Sequence, residues 1–263
     1  MKTNTVSTST REQVNASESF RKLHVPGNPL ILYNIWDAGS AQAVAKSRAR
    51  AIATSSWAVA KAHGYKDGEQ YPYQQAIHNL REIVDSVELP VSFDLESGYG
   101  EEPEQVGKSV SLAIDAGAVG CNFEDSVPRD GTIRDIATQV ARIRGARKAS
   151  ESGNIDFFIN ARCDLFFQDP SVKHDEKLLA TVIDRALAYA EAGADGFFVP
   201  GLATISLISQ LVKKSLIPIN ILADSSTSLQ ILAENGVARV SYGAAPYVEA
   251  MHALEQAAHA ING

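Results

Sequence analysis

From residue 30 to the C-terminus, short β-rich runs alternate with segments of helical spacing, eight times over. The candidate strands cover 30–36, 51–56, 90–96, 120–126, 156–164, 196–201, 218–223 and 238–243. Between them apolar residues recur at helical intervals, as in Leu178, Val182, Ile183, Ala186, Leu187 and Ala190. The last such segment runs over 246–261. A strand followed each time by a helix implies βαβ units and a parallel sheet. Eight units imply closure into a single (β/α)₈ barrel of the TIM type, and a length of 263 residues suits the ~250 of that fold.

The joints repeat as well. Asp115-Ala-Gly-Ala-Val-Gly120 and Glu191-Ala-Gly-Ala-Asp-Gly196 each lead into a strand. Glu234-Asn-Gly-Val-Ala238 and Lys46-Ser-Arg-Ala-Arg50 occupy the same place less faithfully. A glycine just past a helix accepts the left-handed conformation that turns the chain. An open doubly wound sheet is the competing architecture. The first strand–helix turn, Trp36-Asp-Ala-Gly-Ser40, lacks the G-x-G-x-x-G fingerprint that would support it. No linker divides the chain, so residues 20–263 are expected to form one barrel domain. Residues 1–19, polar and rich in Ser and Thr, are expected to form a flexible arm.

Lys plus Arg is 24 and Asp plus Glu 31, a formal charge of −7. An acidic chain without a basic run makes nucleic acid and anionic membrane poor partners. No apolar run reaches the length of a membrane span, and no signal-peptide core is visible, which points to a cytoplasmic protein. Two cysteines, Cys121 and Cys163, are too few for a disulfide framework or a zinc site. Each sits in an apolar run and reads as a small buried hydrophobe.

Parallel strands covered on both faces should be nearly all apolar, so polar residues near their C-terminal ends mark the chemistry. Side chains alternate between faces. In Val91-Ser-Phe-Asp-Leu-Glu96, Asp94 and Glu96 share the face opposite Phe93. The same parity turns Asn122 and Glu124 inward on the next strand, and Asn160, Arg162 and Asp164 on the one after. Confined carboxylates repel one another and lose hydration, and a hard divalent cation such as Mg²⁺ relieves both costs. Arg162 could then hold a substrate carboxylate through paired hydrogen bonds. A buried salt-bridge network at the rim is the competing reading.

Other residues carry weaker signals. Asp37 reads as a helix N-cap. Ser55 and Ser56 end the second strand, where they serve either an anionic oxygen or the turn itself. Trp36 and Trp57 read as rim packing or as substrate walls. Gly98-Tyr-Gly100 reads as a mobile cover over the acidic pair. The six histidines form no ligand-spaced cluster.

Taken in order, Asn34-Ile-Trp-Asp-Ala-Gly-Ser-Ala41, Phe93-Asp-Leu-Glu-Ser-Gly-Tyr-Gly100, Asn122-Phe-Glu-Asp125, Asn160-Ala-Arg-Cys-Asp164 and Ala192-Gly-Ala-Asp-Gly-Phe-Phe-Val-Pro200 resemble the isocitrate lyase/phosphoenolpyruvate mutase superfamily, in its short mutase-like branch. The resemblance implies Mg²⁺ dependence, 2-oxo or 2-hydroxy carboxylate substrates, and a homotetramer whose last helix can be exchanged between subunits. It implies Asp94, Glu96 and Glu124 as metal ligands, directly or through water, and Arg162 as the substrate clamp. Ser55, Ser56 and Trp57 fall where the family binds substrate, with Trp36 and Asn160 as further binding candidates. Asp67, in Gly64-Tyr-Lys-Asp-Gly68, matches an acidic residue near the site and joins Arg162 and Ser55 as a catalytic candidate.

The departures narrow the reaction. The segment after Glu124 reads Asp125-Ser-Val-Pro-Arg-Asp-Gly-Thr-Ile-Arg134. It lacks the Cys and His of the isocitrate and methylisocitrate lyases, and the Lys and Asn of the phosphoryl mutases. Pro200 stands where the mutases place a histidine. The expectation is therefore a Mg²⁺-dependent carbon–carbon lyase or decarboxylase working through an enolate. A phosphoenolpyruvate or phosphonopyruvate mutase or hydrolase, and a carboxylate-binding barrel without turnover, are the alternatives.

Overall fold

A computed structural model describes residues 10–168, 173–224 and 226–262. Eight parallel strands form one sheet: β1 (Leu30–Leu32), β2 (Ile52–Ala53), β3 (Val91–Asp94), β4 (Gly120–Glu124), β5 (Phe158–Arg162), β6 (Gly196–Val199), β7 (Ile219–Leu222) and β8 (Arg239–Ser241). Their order around the sheet is β1-β8-β7-β6-β5-β4-β3-β2. A parallel bridge between Ile35 and Thr54 joins the two ends and closes the barrel. All eight expected strands are present, each shorter than its apolar run.

The helices are α1 (Arg11–Lys22), α2 (Ala38–Ala45), α3 (Ser56–Ala62), α4 (Tyr73–Ser86), α5 (Pro103–Asp115), α6 (Ile136–Ser152), α7 (Glu176–Glu191), α8 (Ile205–Lys214), α9 (Leu229–Glu234) and α10 (Ala245–Asn262). The repeated joints behave as their glycines require. Gly117, Gly193 and Gly236 adopt φ of 97°, 103° and 81° just past their helices, and Arg48 takes the equivalent place with φ 67°. Asp37 caps α2, exchanging hydrogen bonds with Ser40.

The strand parity divides the core in two. Val91, Phe93, Cys121, Phe123, Ile159, Ala161, Phe197, Val199, Ile219, Ile221 and Val240 face the helices. Leu30, Leu32, Ala51, Ala53, Val119 and Phe158 fill the bore with Phe20 of α1. Both cysteines are buried and free.

The flexible arm expected over 1–19 needs correction in its second half. Residues 1–9 lie outside the described residues, but from Arg11 the chain is helical. Thr10 caps α1, and the Gln13 amide donates to the carbonyls of Ile114 (2.8 Å) and Ala118 (3.0 Å). Arg21 pairs with Asp156 and Asp195. Phe20 is fully buried against Phe158, closing the N-terminal end of the bore, a contribution of ~2 kcal/mol. Apart from the short apolar edge of Ala16, Phe20 and Leu23, the anchors of this helix are polar, so its first turns read as an arm.

α10 is the opposite case. Its 18 residues include Val248, Met251, Leu254 and Ile261, all exposed, and bury only Pro246.

Candidate active site

The C-terminal ends of β3, β4 and β5 bring the predicted acidic residues together. Asp94 is 9% exposed. Its N–H donates to Thr54 Oγ1 at 2.8 Å. Its Oδ2 accepts from the Ser56 N–H (2.9 Å) and hydroxyl (2.8 Å). Its Oδ1 is buried with no hydrogen-bond partner. A buried carboxylate oxygen without a donor is costly and calls for a cation or water.

Register sets the neighbouring groups. Glu124 pairs across the ladder with Arg162, and their side chains meet at 3.0 Å. Arg162 also holds Asp164 in a fork, at 2.6 Å from Nε and 3.0 Å from Nη2. The Ser126 hydroxyl lies 2.8 Å from Glu124 and 3.0 Å from Asp164, and its single proton serves one at a time. Burial pushes the Glu124 carboxyl up, against the pull of the Arg162 charge. Desolvation draws Arg162 down, but Glu124, Asp164 and Asp94 outweigh it and hold the guanidinium above its ordinary value. Phe167 and Phe198 flank it. On the opposite parity, Asp125 leaves the site for the helix layer, where Arg185 and Tyr189 of α7 bind it.

Glu96 lies just beyond β3 with φ 51°. Its carboxylate accepts from the Tyr99 hydroxyl (2.7 Å) and the Glu69 N–H (2.6 Å). Burial raises it to about 7, with Asp67 and Asp94 adding to the rise. The loop that follows is not the mobile cover its glycines suggest. Arg142 of α6 donates to the carbonyls of Ser97, Gly100 and Glu101. Arg134 donates to the Ser97 hydroxyl and the Ser126 carbonyl, and pairs with Glu101. Two buried arginines thus hold a backbone in which Glu96, Gly98 and Tyr99 are all left-handed.

The remaining predicted residues divide. Ser56 acts on Asp94, as above. Ser55 caps α3, accepting from the Ala58 N–H, so its hydroxyl serves the turn. Trp36 and Trp57 both meet the ring of Tyr247 edge-on, at 5.1 and 6.0 Å, forming an aromatic wall. Asn160 is 1% exposed and donates to Asn122 Oδ1 (2.9 Å), which places it in the bore beneath the site. Asp67 sits on the exposed loop after α3. Its carboxyl is raised by desolvation and by the charge of Asp94.

Four residues escaped the sequence reading: Tyr247, Arg134, Arg142 and Arg239. Tyr247, Arg142 and Arg239 lie in segments that read as ordinary helix or strand, Arg134 ends the segment after Glu124, and only the tertiary fold brings them to the site. Arg239, within the apolar strand Ala238-Arg-Val-Ser241, carried the one available signal, a charge where none is expected.

Among the described residues no three His, Cys, Asp or Glu side chains stand close enough to enclose a metal unaided. Mg²⁺ requires less, since it keeps several waters and takes one or two carboxylates. The unpartnered Oδ1 of Asp94, with Glu124 close enough to feel its charge, fits that demand.

Comparison with known proteins agrees with this geometry. Residues 20–262 match the model of the phosphoenolpyruvate phosphomutase family. The uncharacterized protein Rv1998c of Mycobacterium tuberculosis (strain ATCC 25618 / H37Rv) is 34% identical over 93% of this chain and 89% of its own. The 2-methylisocitrate lyase of Escherichia coli (strain K12) is 29% identical over 93% of this chain and 82% of its own. A crystal structure from Burkholderia cenocepacia J2315, assigned provisionally as a phosphonomutase, shares 47% identity with a TM-score of 0.92, covering 95% of this chain and 100% of that one.

Proposed function

We propose that this chain, which belongs to the phosphoenolpyruvate phosphomutase family, is a Mg²⁺-dependent lyase or decarboxylase of a small 2-oxo or 2-hydroxy carboxylate. The observation that carries this reading is the buried, unpartnered Oδ1 of Asp94 beside an arginine already bound to two carboxylates.

Asp94 and Glu124 would hold the metal. Glu96, whose two oxygens already accept from Tyr99 and Glu69, would act through water. Bound there, Mg²⁺ supplies Lewis acidity that holds negative charge developing on an enolate. Ser56 fixes the Asp94 carboxylate through two donors. Arg162 is forked to Asp164, and the same fork can pass to a substrate carboxylate. Phe167 and Phe198 flank its guanidinium, and the Trp36–Tyr247–Trp57 wall offers an apolar lining for the substrate. Asp67, whose carboxyl is raised, is the group we assign to proton transfer at the product carbon.

The segment after Glu124 supports carbon–carbon cleavage over phosphoryl transfer. Residues 125–134 fold into a short hairpin, with Ser126 bridged to Ile133. Its Arg134 is buried under the loop rather than facing the site, and its other cation, Arg129, is exposed and pairs with its neighbour Asp130, so neither is fixed where a migrating phosphoryl group would need it. We also infer self-association, because the apolar residues of α10 call for a neighbouring copy to cover them, and the family resemblance makes that assembly a homotetramer.

The test is turnover of oxaloacetate and of alkylated malates, with and without EDTA. The reading predicts product that disappears with EDTA and in Asp94→Ala. Equal rates after both treatments contradict it.

A further inference from the structure

The bore below the site holds a second cation. Arg239 on β8 is 1% exposed. Its Nη2 donates to Asn122 Oδ1 at 3.0 Å, on a strand four places away in the order of the sheet. The guanidinium therefore crosses the lumen. Asn122 is the ladder partner of Asp94, so the charge ends in the layer of the metal-binding carboxylate. Among the described residues, Arg239 Nε and Nη1 have no hydrogen-bond partner, and neither has Asp94 Oδ1. Asn122 already accepts from Asn160, and neither amide can neutralise a cation. Burial draws the Arg239 guanidinium down to about 10, against the pull of Asp94, so it stays charged at neutral pH. A fully buried arginine with one hydrogen bond is an expensive element. The fold's own needs at this position could be met by a neutral side chain.

We propose that Arg239 is a positioning residue for the site: a fixed positive charge beneath Asp94 that weakens binding of the bare metal ion and strengthens binding of an anionic ligand. Acting through the field rather than by contact, it makes metal and carboxylate bind best together. Arg162 does the same from above, occupying Glu124 until a carboxylate draws it away. The proposal rests on the metal-dependent reading given above.

The test compares wild type, Arg239→Met, Arg239→Gln and Arg239→Lys by titration calorimetry. Mn²⁺ is titrated alone, and oxalate in saturating Mg²⁺. With the charge gone, Mn²⁺ should bind about tenfold tighter and oxalate about tenfold weaker. Arg239→Lys should keep both within about threefold of wild type. A merely structural role would weaken both ligands together. Movement in the same direction, or no movement beyond threefold, overturns the proposal. So does failure of both neutral variants to fold while Arg239→Lys folds. If wild type itself binds no Mn²⁺, the metal-dependent reading fails first, a result distinct from these.

Discussion

Replacing Arg142 by methionine tests how the site is held in shape. The guanidinium is 1% exposed as a side chain and donates to the carbonyls of Ser97, Gly100 and Glu101. It also lies over the Phe123 ring at 5.4 Å. Methionine keeps most of the stem volume, so the change removes donors and leaves little cavity. An unpaired buried acceptor costs ~1–3 kcal/mol; Arg142→Met leaves three carbonyls without their donor, and partial rehydration holds the sum to ~3–5 kcal/mol. The backbone it holds is strained, because Glu96 and Tyr99 both sit at φ 51°, a conformation costing ~1–2 kcal/mol for a residue with a Cβ. Once released, the loop should relax and take Glu96 with it. Arg142→Met should therefore lose ~3–5 kcal/mol in denaturant melts and roughly 6–20 °C in Tm. Amide exchange over residues 96–101 should accelerate ahead of the rest of the barrel. Arg144→Met, on the exposed face of the same helix, is the control and should change stability by less than about 0.5 kcal/mol. A loss below about 1 kcal/mol for Arg142→Met, or unchanged exchange at 96–101, would refute the clamp.

Other outcomes follow from the same contacts. His24 stacks on Phe158 at 3.9 Å, and burial, then the Arg239 charge, pull it from 6.5 to about 3. The unfolded chain therefore takes up a proton below pH 6.5 that the folded chain refuses until about pH 3. The contribution of His24 to stability should fall across that window by up to ~1.4 kcal/mol per pH unit and be constant above it, while the raised Glu96 and Glu124 carboxyls act with the opposite sign in both proteins. His24→Phe should therefore show a shallower acid slope than wild type in urea melts, and equal slopes would count against the buried neutral histidine. Gly98→Ala should cost ~1–3 kcal/mol by thermal melt, since a Cβ there would lie 2.8 Å from the Phe123 ring on a backbone at φ 95°. Arg162→Lys should lower turnover by ~10²-fold and cost ~1–3 kcal/mol in the melt, because lysine keeps the charge without the fork that holds Asp164; turnover within a few-fold of wild type would remove Arg162 as the clamp.

The division between what the sequence revealed and what it hid is physical. Strand parity needs only neighbouring residues, so the convergence of Asp94, Glu124 and Arg162 was readable from alternation alone. The Asp125 side chain, one residue out of phase, correctly fell on the other face, where it meets Arg185. The Gly98-Tyr-Gly100 loop misled because glycine reports permitted conformations and says nothing about distant restraint. Its restraint comes from Arg142, 42 residues downstream of Gly100, on a helix rich in charged residues. α1 was hidden for a related reason: its first turns are anchored by polar contacts to Ile114 and Ala118, and its apolar edge is only Ala16, Phe20 and Leu23. Tyr247 belongs to a helix that buries almost nothing else, so its place against Trp36 and Trp57 depends on how β8 ends.

The central claim is that Asp94 and a divalent cation together make the carboxylate site. Calorimetric titration of oxalate into wild type and Asp94→Ala, each with and without Mg²⁺, tests it without depending on the substrate. Oxalate should bind tightly only to wild type with Mg²⁺ present, and weakly in the other three conditions. Equal affinity with and without the metal, or undiminished binding by Asp94→Ala in Mg²⁺, would contradict the account.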